Sequence, residues 1–352
     1  MTLLVLDWAL VLEKFIFIVI VIMVCFLVAL YSTYGERKVA AWIQDRHGPN
    51  RAGPFGGMGG ILQPLSDGAK MFFKEEIIPS SADKKLYILG PIIAMTTSLL
   101  TSAVIPWGDH LVIGNKVIEL QIADINVGML YIFAVVSVGV YGMMIGGWAS
   151  NNKYSLLAAL RGASQTISYE LALGMSLIAL LMVTGSLSLR TIVDQQIETG
   201  VWNIVYQPLG FLLFWICMFA ECNRTPFDLA EAESELNQGF HQEYSSMTFG
   251  FYMFYEYVNM FAVGAIMSTL FLGGYDVPFL DESTLHPNWA AVIGIISIMI
   301  KSLFFVFVFM WVRWTVPRFR YDQLMNLGWK GLLPLTIANM ILTAVFLLLF
   351  NK

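Results

Sequence analysis

Eight stretches of this chain are apolar for long enough to cross, or nearly cross, a lipid bilayer: residues 15–34, 86–105, 125–148, 164–183, 205–221, 247–272, 289–311 and 332–350. A helix needs about 20 apolar residues to cover the hydrocarbon core. In lipid each backbone polar group must be satisfied within its own segment, so such stretches are helices. The chain therefore reads as an all-α membrane protein with eight transmembrane helices, forming one polytopic domain over residues 1–352. Composition agrees. Of 352 residues 57% are apolar and only 13% charged, where a soluble domain has about 25% charged. Too little polar surface is available to cover a core in water. A soluble multidomain enzyme, a disordered chain and a disulfide scaffold are all excluded. The net charge of −5 argues against a nucleic-acid binder, which needs a basic stripe.

Lysine and arginine set the orientation. Fifteen fall in the loops after odd-numbered spans, eight of them between residues 35 and 85, against four on the other side. The basic loops are expected to face the cytoplasm, or the equivalent mitochondrial matrix or chloroplast stroma, with both termini on the other side. The first span runs into Gly35-Glu36-Arg37-Lys38 rather than a small-residue cleavage site, so it is expected to be retained. Within the first cytoplasmic loop, Gly-rich turns precede residues 61–73, whose apolar positions recur every three to four residues. That spacing predicts an amphipathic helix lying along the membrane surface.

Three ionisable groups fall inside spans, where each costs about 2.5–3.5 kcal/mol on insertion scales: Glu170, Glu256 and Lys301. Glu36 and Glu221 sit at cytoplasmic ends of spans. Each carboxylate has a bland reading, a polar group paired locally or snorkelling to the interface. As a set, with Lys301 as counter-charge, they point to a proton or ion path reaching inward from the cytoplasm. The loop from Glu221 to Glu235 is the most unusual segment. Thr225-Pro226 with Asp228 reads as an N-cap, a first-turn proline and an acidic capping partner. The short helix so predicted puts Glu231 and Glu235 on one face, with Glu233 off it. A solvated acidic turn and a buried carboxylate cluster exchanging protons near neutral pH both fit this spacing. Cys25, Cys217 and Cys222 lack metal-ligand spacing and read as packing thiols. No Gly-rich phosphate loop follows a strand, so neither metal nor nucleotide is expected on this chain.

At the acidic loop a resemblance becomes specific. Glu221-x-x-Arg224-x-Pro226-Phe227-Asp228-Leu229-x-Glu231-x-Glu233-Ser234-Glu235-Leu236-x-x-Gly239-Phe240-x-x-Glu243-Tyr244-Ser245 resembles the signature of the H subunits of NADH–quinone oxidoreductase, respiratory complex I. Three more matches follow the same order along the chain. They are Glu36-Arg37-Lys38 with Gln44-x-Arg46-x-Gly48-Pro49-Asn50-Arg51 and Gln63-Pro64-x-x-Asp67-x-x-Lys70; Arg161-x-x-x-Gln165-x-Ile167-Ser168-Tyr169-Glu170; and Arg313-Trp314-x-x-Pro317-Arg318-x-Arg320-Tyr321-Asp322. Asn237 and Ser246 stand where the family pattern has a small apolar residue and a glycine, which bears only on local loop packing.

The resemblance implies a membrane subunit at the junction with the peripheral arm, forming part of a quinone chamber. Glu36, Arg37, Asp67, Lys70, Arg224 and Phe227 would line or flank that chamber. Glu170, Glu221, Glu231, Glu233, Glu235 and Glu256 would couple quinone chemistry to proton movement, and Lys301, read from its place inside a span, is expected to join them as counter-charge. Quinone would be substrate; NADH, FMN and the iron–sulfur clusters would belong to partner subunits. The partners implied are the peripheral quinone-site subunits and the other membrane-arm subunits. The composition has no feature specific to an organelle, so a bacterial inner membrane is expected ahead of a mitochondrial or chloroplast one. The competing readings are the related membrane subunit of an ion-pumping hydrogenase, a stand-alone carrier, and a structural anchor with bystander carboxylates.

Overall fold

The computed structural model describes residues 8–53, 59–114, 116–278 and 286–350. Helix α1 (Trp8–Ile43) does not stop where the first apolar run ends. It continues through Gly35-Glu36-Arg37-Lys38, so Glu36 and Arg37 leave a rigid helix on faces about 100° apart. The amphipathic helix α2 (Gln63–Phe73) forms as the spacing predicts, with Pro64 at its start. Helix α3 (Lys84–Thr101) begins at Asp83, whose side chain accepts the backbone N–H groups of Lys85 and Leu86; this satisfies two donors that a helix start leaves without partners. A 3-10 turn, Ser102–Val104, follows.

The all-α reading misses one element. Strands β1 (His110–Ile113) and β2 (Lys116–Glu119) pair antiparallel, with Val112 opposite Val117. Both are rich in β-branched residues, but at four residues each they are too short to stand out in a sequence scan. Asn288 fixes the hairpin by exchanging two hydrogen bonds with the backbone of Val112, at 2.8 and 2.9 Å.

Helix α4 (Gly128–Ala149) packs closely on α3. A methyl group on Gly142 would lie 2.7 Å from the backbone nitrogen of Ala94, so a small residue is required for the helices to meet, as in other membrane bundles. Helix α5 (Lys153–Thr184) starts eleven residues before the expected span and ends at Gly185, whose φ of 67° is the usual left-handed helix stop. Two short helices, α6 (Leu189–Thr199) and α7 (Asn203–Tyr206), lead to α8 (Pro208–Glu221). The acidic loop contains the four-residue α9 (Glu233–Leu236) and leads to α10 (Ser246–Phe271). Helix α11 (Pro287–Thr315) follows; then α12 (Tyr321–Asn326) runs through a π turn at Leu327–Leu332 into α13 (Leu333–Phe350).

Among the described residues, six helices are long and apolar enough to cross a membrane. The other two expected spans differ for separate reasons. Helix α8 has only 14 residues. Helix α10 is 26 residues long, but it is the centre of the bundle rather than a lipid-facing rod. Every residue from Glu256 to Phe271 is buried, packed among α1, α3 and α11. An interior helix tolerates polar positions such as Glu256, Asn259 and Ser268, which lower its hydropathy.

Candidate functional site

The site is built where the loop after α8 folds back into the bundle. Its sequence invites a helix capped at Thr225. The structure corrects this: no helix runs from Pro226, and the segment before Glu233 is a series of turns with a cis Thr225–Pro226 peptide bond. Tertiary contacts override the local capping pattern. Gln165 of α5 donates to the carbonyls of Ala220 and Phe227, both at 2.8 Å. Phe319 donates its backbone N–H to the Pro226 carbonyl at 3.2 Å. Tyr169 packs edge-on against Phe227 and donates to the Leu324 carbonyl. Much of the Arg161-to-Glu170 motif thus holds the loop down.

As a result Glu231 and Glu235 do not share a helix face. Glu235 is on the outside, 2.7 Å from Arg161, whereas Glu231 is buried. The side chain of Glu233 lies outside the described residues.

Four carboxylates and three arginines meet at the inner end of this loop. Arg224, only 3% exposed, lies 3.0 Å from Glu256 and 3.8 Å from Glu36. Its guanidinium stacks over the Tyr257 ring at 4.7 Å, a favourable cation–π arrangement. Tyr257 in turn donates to Glu36 at 2.6 Å. Arg313 of α11 lies 2.7 Å from Glu36 and 3.8 Å from Glu231. Arg318 closes the group at 2.7 Å from Asp228. Helices α1, α10 and α11 and the loop each supply charges, and burial is tolerable because the charges face one another.

This network forms one wall of a cavity of about 510 Å³. Glu36, Arg37, Asp67, Arg224, Glu231 and Glu256 all line it, and Leu30, Met71, Met253 and Phe254 supply apolar walls. At the mouth Arg37 donates to Asp67 at 2.6 Å, and Gln63 steadies Asp67 from the other side at 2.9 Å. Helix α2 is held to α10 by Ser246, whose hydroxyl donates to the carbonyls of Met71 and Lys74. The departure at Ser246 therefore adds a clamp. Asn237, the other departure, ends α9 at φ 63°, a conformation asparagine accepts more readily than most residues.

The remaining candidate residues lie elsewhere, and residues that were not site candidates enter the site. Lys70 stands outside the cavity, 3.9 Å from Asp67 and largely exposed. Phe227 packs between Tyr169 and Phe319 instead of lining the cavity. Glu170 accepts a hydrogen bond from Ser137 at 2.8 Å. Glu221 is buried near it, and its Oε2 has no hydrogen-bond partner among the described residues. Lys301 is at the far end of α10, donating to the carbonyls of Leu272, Gly274 and Asp276. Asp228, Tyr257, Arg313, Arg318 and His241 join the network or its cavity. Arg313 belongs to one of the matching motifs, but Tyr257 and His241 carry no sequence signal beyond their type.

Asp228 and Glu231 adjoin, and the Glu231 backbone N–H reaches Asp228 Oδ1 at 3.3 Å. Burial, then the Glu231 charge, push Asp228 up to about 8. Arg318 opposes this but is 31% exposed, so water weakens its pull. Burial also works against a charge on Glu231. There the neighbouring Glu256 carboxyl, then His241 and Arg224, outweigh it and hold the carboxyl below its usual range. An acid whose folded pKa is raised stabilises the fold fully below its unfolded pKa, and that contribution is lost as pH rises through the folded value. Thermal stability of the assembled protein should therefore fall as pH climbs from about 4 towards about 8, and Asp228→Asn should flatten that slope. An unchanged slope in the variant would show that Asp228 is ionised throughout.

These features define a multi-pass helical membrane protein with a carboxylate–arginine core opening on a lateral cavity. Residues 16–344 match the family described as NADH dehydrogenase. The chain is 60% identical to the first NADH-quinone oxidoreductase H subunit of Cytophaga hutchinsonii over 339 residues, covering 96% of this chain and 98% of that protein. It is 56% identical to the NADH-quinone oxidoreductase H subunit of Flavobacterium johnsoniae, covering 97% of each. It is 47% identical to the first NADH-quinone oxidoreductase H subunit of Geobacter metallireducens, covering 99% and 100%. The chain belongs to this family, the H subunits of NADH–quinone oxidoreductase.

Proposed function

We propose that the chain is the quinone-site membrane subunit of a proton-translocating NADH–quinone oxidoreductase in a bacterial inner membrane. It crosses the bilayer eight times, with α8 and α10 as the fifth and sixth spans and its basic loops in the cytoplasm. The observation that carries this reading is the cavity of about 510 Å³ with one wall of buried carboxylates and arginines. Its apolar sides suit an isoprenoid quinone, and its mouth lies between α1, α2 and α10.

Reducing a quinone to quinol adds two electrons and takes up two protons. The electrons come from iron–sulfur clusters on peripheral quinone-site subunits, which also hold NADH and FMN; this chain supplies no redox centre. Its residues manage charge. A change of charge in the cavity alters how Arg224 and Arg313 divide their attraction between Glu36, Glu231 and Glu256, which shifts their proton affinities. Glu221 and Glu170 lie further into the membrane and extend the series of carboxylates towards the neighbouring membrane-arm subunits. Glu233 and Glu235, on the peripheral-arm side, serve docking and proton supply.

The test is Glu36→Gln in the intact complex. It should lower quinone-linked NADH oxidation and proton pumping about tenfold, the loss expected when about 1.4 kcal/mol of transition-state stabilisation is removed. Electron transfer from NADH to a hydrophilic acceptor at the flavin should stay intact. Normal quinone reduction and pumping would remove the coupling role, and a complex that evolves hydrogen without reducing quinone would favour the hydrogenase reading.

A further inference from the structure

A second cavity, of about 900 Å³, lies on the opposite face of α1 from the quinone-side cavity. It is a groove between α1 and α11, and its lining on α11 is a single stripe: Leu303, Val306, Phe307 and Met310. The two helices touch at its floor, where a methyl group on Gly35 would lie 3.6 Å from the Met310 sulfur. Along α1 the groove runs from Leu27 to Trp42, a length of about 22 Å at 1.5 Å per residue. That is about one leaflet of hydrocarbon, half of roughly 30 Å, plus the headgroup layer.

The two ends differ in chemistry. The deep end is aliphatic. The upper end is ringed by Tyr34, Lys38 and Trp42, residue types that suit the membrane–water interface. Lys38 lies 5.6 Å from the centre of the Tyr34 ring and donates to the His47 carbonyl and to the Asn50 side chain. Both acceptors are neutral, and among the described residues no carboxylate stands within ion-pair distance of Lys38. The segment that follows adds the exposed Arg51, and Asp45 is the one acid from residue 37 to 66.

We propose that this groove binds an anionic phospholipid, its acyl chains lying along the α1–α11 seam and its phosphate at Lys38. Charge selects the occupant. A quinone tail is neutral and gains nothing from the basic rim, whereas an anionic headgroup does. The lipid braces the two helices that carry Glu36 and Arg313, from the side away from the quinone. The proposal requires only that the chain spans a membrane, and its readout is lipid contact rather than turnover, so it stands or falls separately from the quinone-site reading.

The test uses the intact complex in phosphatidylcholine vesicles doped with photoactivatable phosphatidylglycerol or photoactivatable phosphatidylcholine, with labelled peptides mapped by mass spectrometry. Peptides of α1 and α11 around Tyr34 and Met310 should take up the phosphatidylglycerol probe about fivefold more than the phosphatidylcholine probe, the factor matching about 1 kcal/mol for one basic residue at an anionic surface. Lys38→Gln should abolish that preference and Lys38→Arg retain it. Leu303→Trp, which fills the groove from the lipid side, should reduce labelling by both probes. Equal labelling by the two probes in the unaltered complex, or an unchanged preference in Lys38→Gln, would overturn the proposal. Loss of a neighbouring subunit in Leu303→Trp with labelling unchanged would also do so, because it would make the groove a protein interface.

Discussion

Arg224→Ala should give a complex that assembles poorly and, where assembled, reduces quinone at most at about a tenth of the normal rate, while flavin-level oxidation of NADH persists. Arg224 is buried between Glu256 and Glu36. Removing one partner of a buried ion pair typically costs about 3–5 kcal/mol, because the other charge is left without compensation. Arg313 cannot take over both partners, since it already lies against Glu36 and Glu231. The variant can escape by protonating Glu256, which lowers the cost but removes the charge that the site needs. Arg224→Lys keeps a cation but replaces the planar fork with a point charge and loses the stacking over Tyr257, so partial activity is expected. The sharpest check is the double variant Arg224→Ala with Glu256→Gln. It should recover assembly, measured as complex per membrane and its melting temperature, without recovering quinone reduction. If the double variant assembles no better than the single one, the uncompensated charge is not the cause.

How much of this was legible in the sequence depends on the distance over which each feature is decided. Apolar run length is a local property, and the long helices α3, α4, α10, α11 and α13 fall close to where it put them, whereas α5 starts eleven residues earlier. Amphipathic α2 was legible for the same reason. The Thr225-Pro226-x-Asp228 pattern is also local, yet it misled: Gln165, 55 residues away from Ala220, takes the carbonyl there and draws the loop into turns. Which carboxylates meet was not legible: the resemblance sets Glu36 apart from Glu231 and Glu256, and the fold brings all three together with Asp228 around Arg224, Arg313 and Arg318. Spacing paired Glu231 with Glu235, whereas the fold pairs Glu231 with the distant Arg313 and exposes Glu235. Lys301 marks the same limit. An amine inside an apolar run signals polar partners, but not that they include three carbonyls just beyond the end of α10.

The loop that carries Glu231 depends on one glycine. Gly239 has φ 69°, and a methyl group there would sit 2.0 Å from the Ala230 carbonyl oxygen and 2.7 Å from the Glu231 Cα. Both neighbours are backbone, so no flexible side-chain end can yield. Gly239→Ala should therefore shift the Ala230–Glu231 segment itself, at a cost of about 1–3 kcal/mol for overpacking and about 1–2 kcal/mol for the left-handed backbone. The Phe240 N–H bond to Ala230, 3.2 Å, would be strained with it. Moving Glu231 takes it away from Arg313 and from the cavity wall, so quinone reduction should fall severalfold more than assembly does. Gly185→Ala separates the two causes. Its φ is 67°, but nothing lies within 4 Å of the added methyl, so it bears the backbone strain without the collision. That variant should lower the melting temperature slightly and leave the ratio of quinone reduction to flavin-level activity unchanged. If Gly239→Ala behaves like Gly185→Ala, then the close approach to Ala230 is dispensable, and the placement of Glu231 does not depend on it.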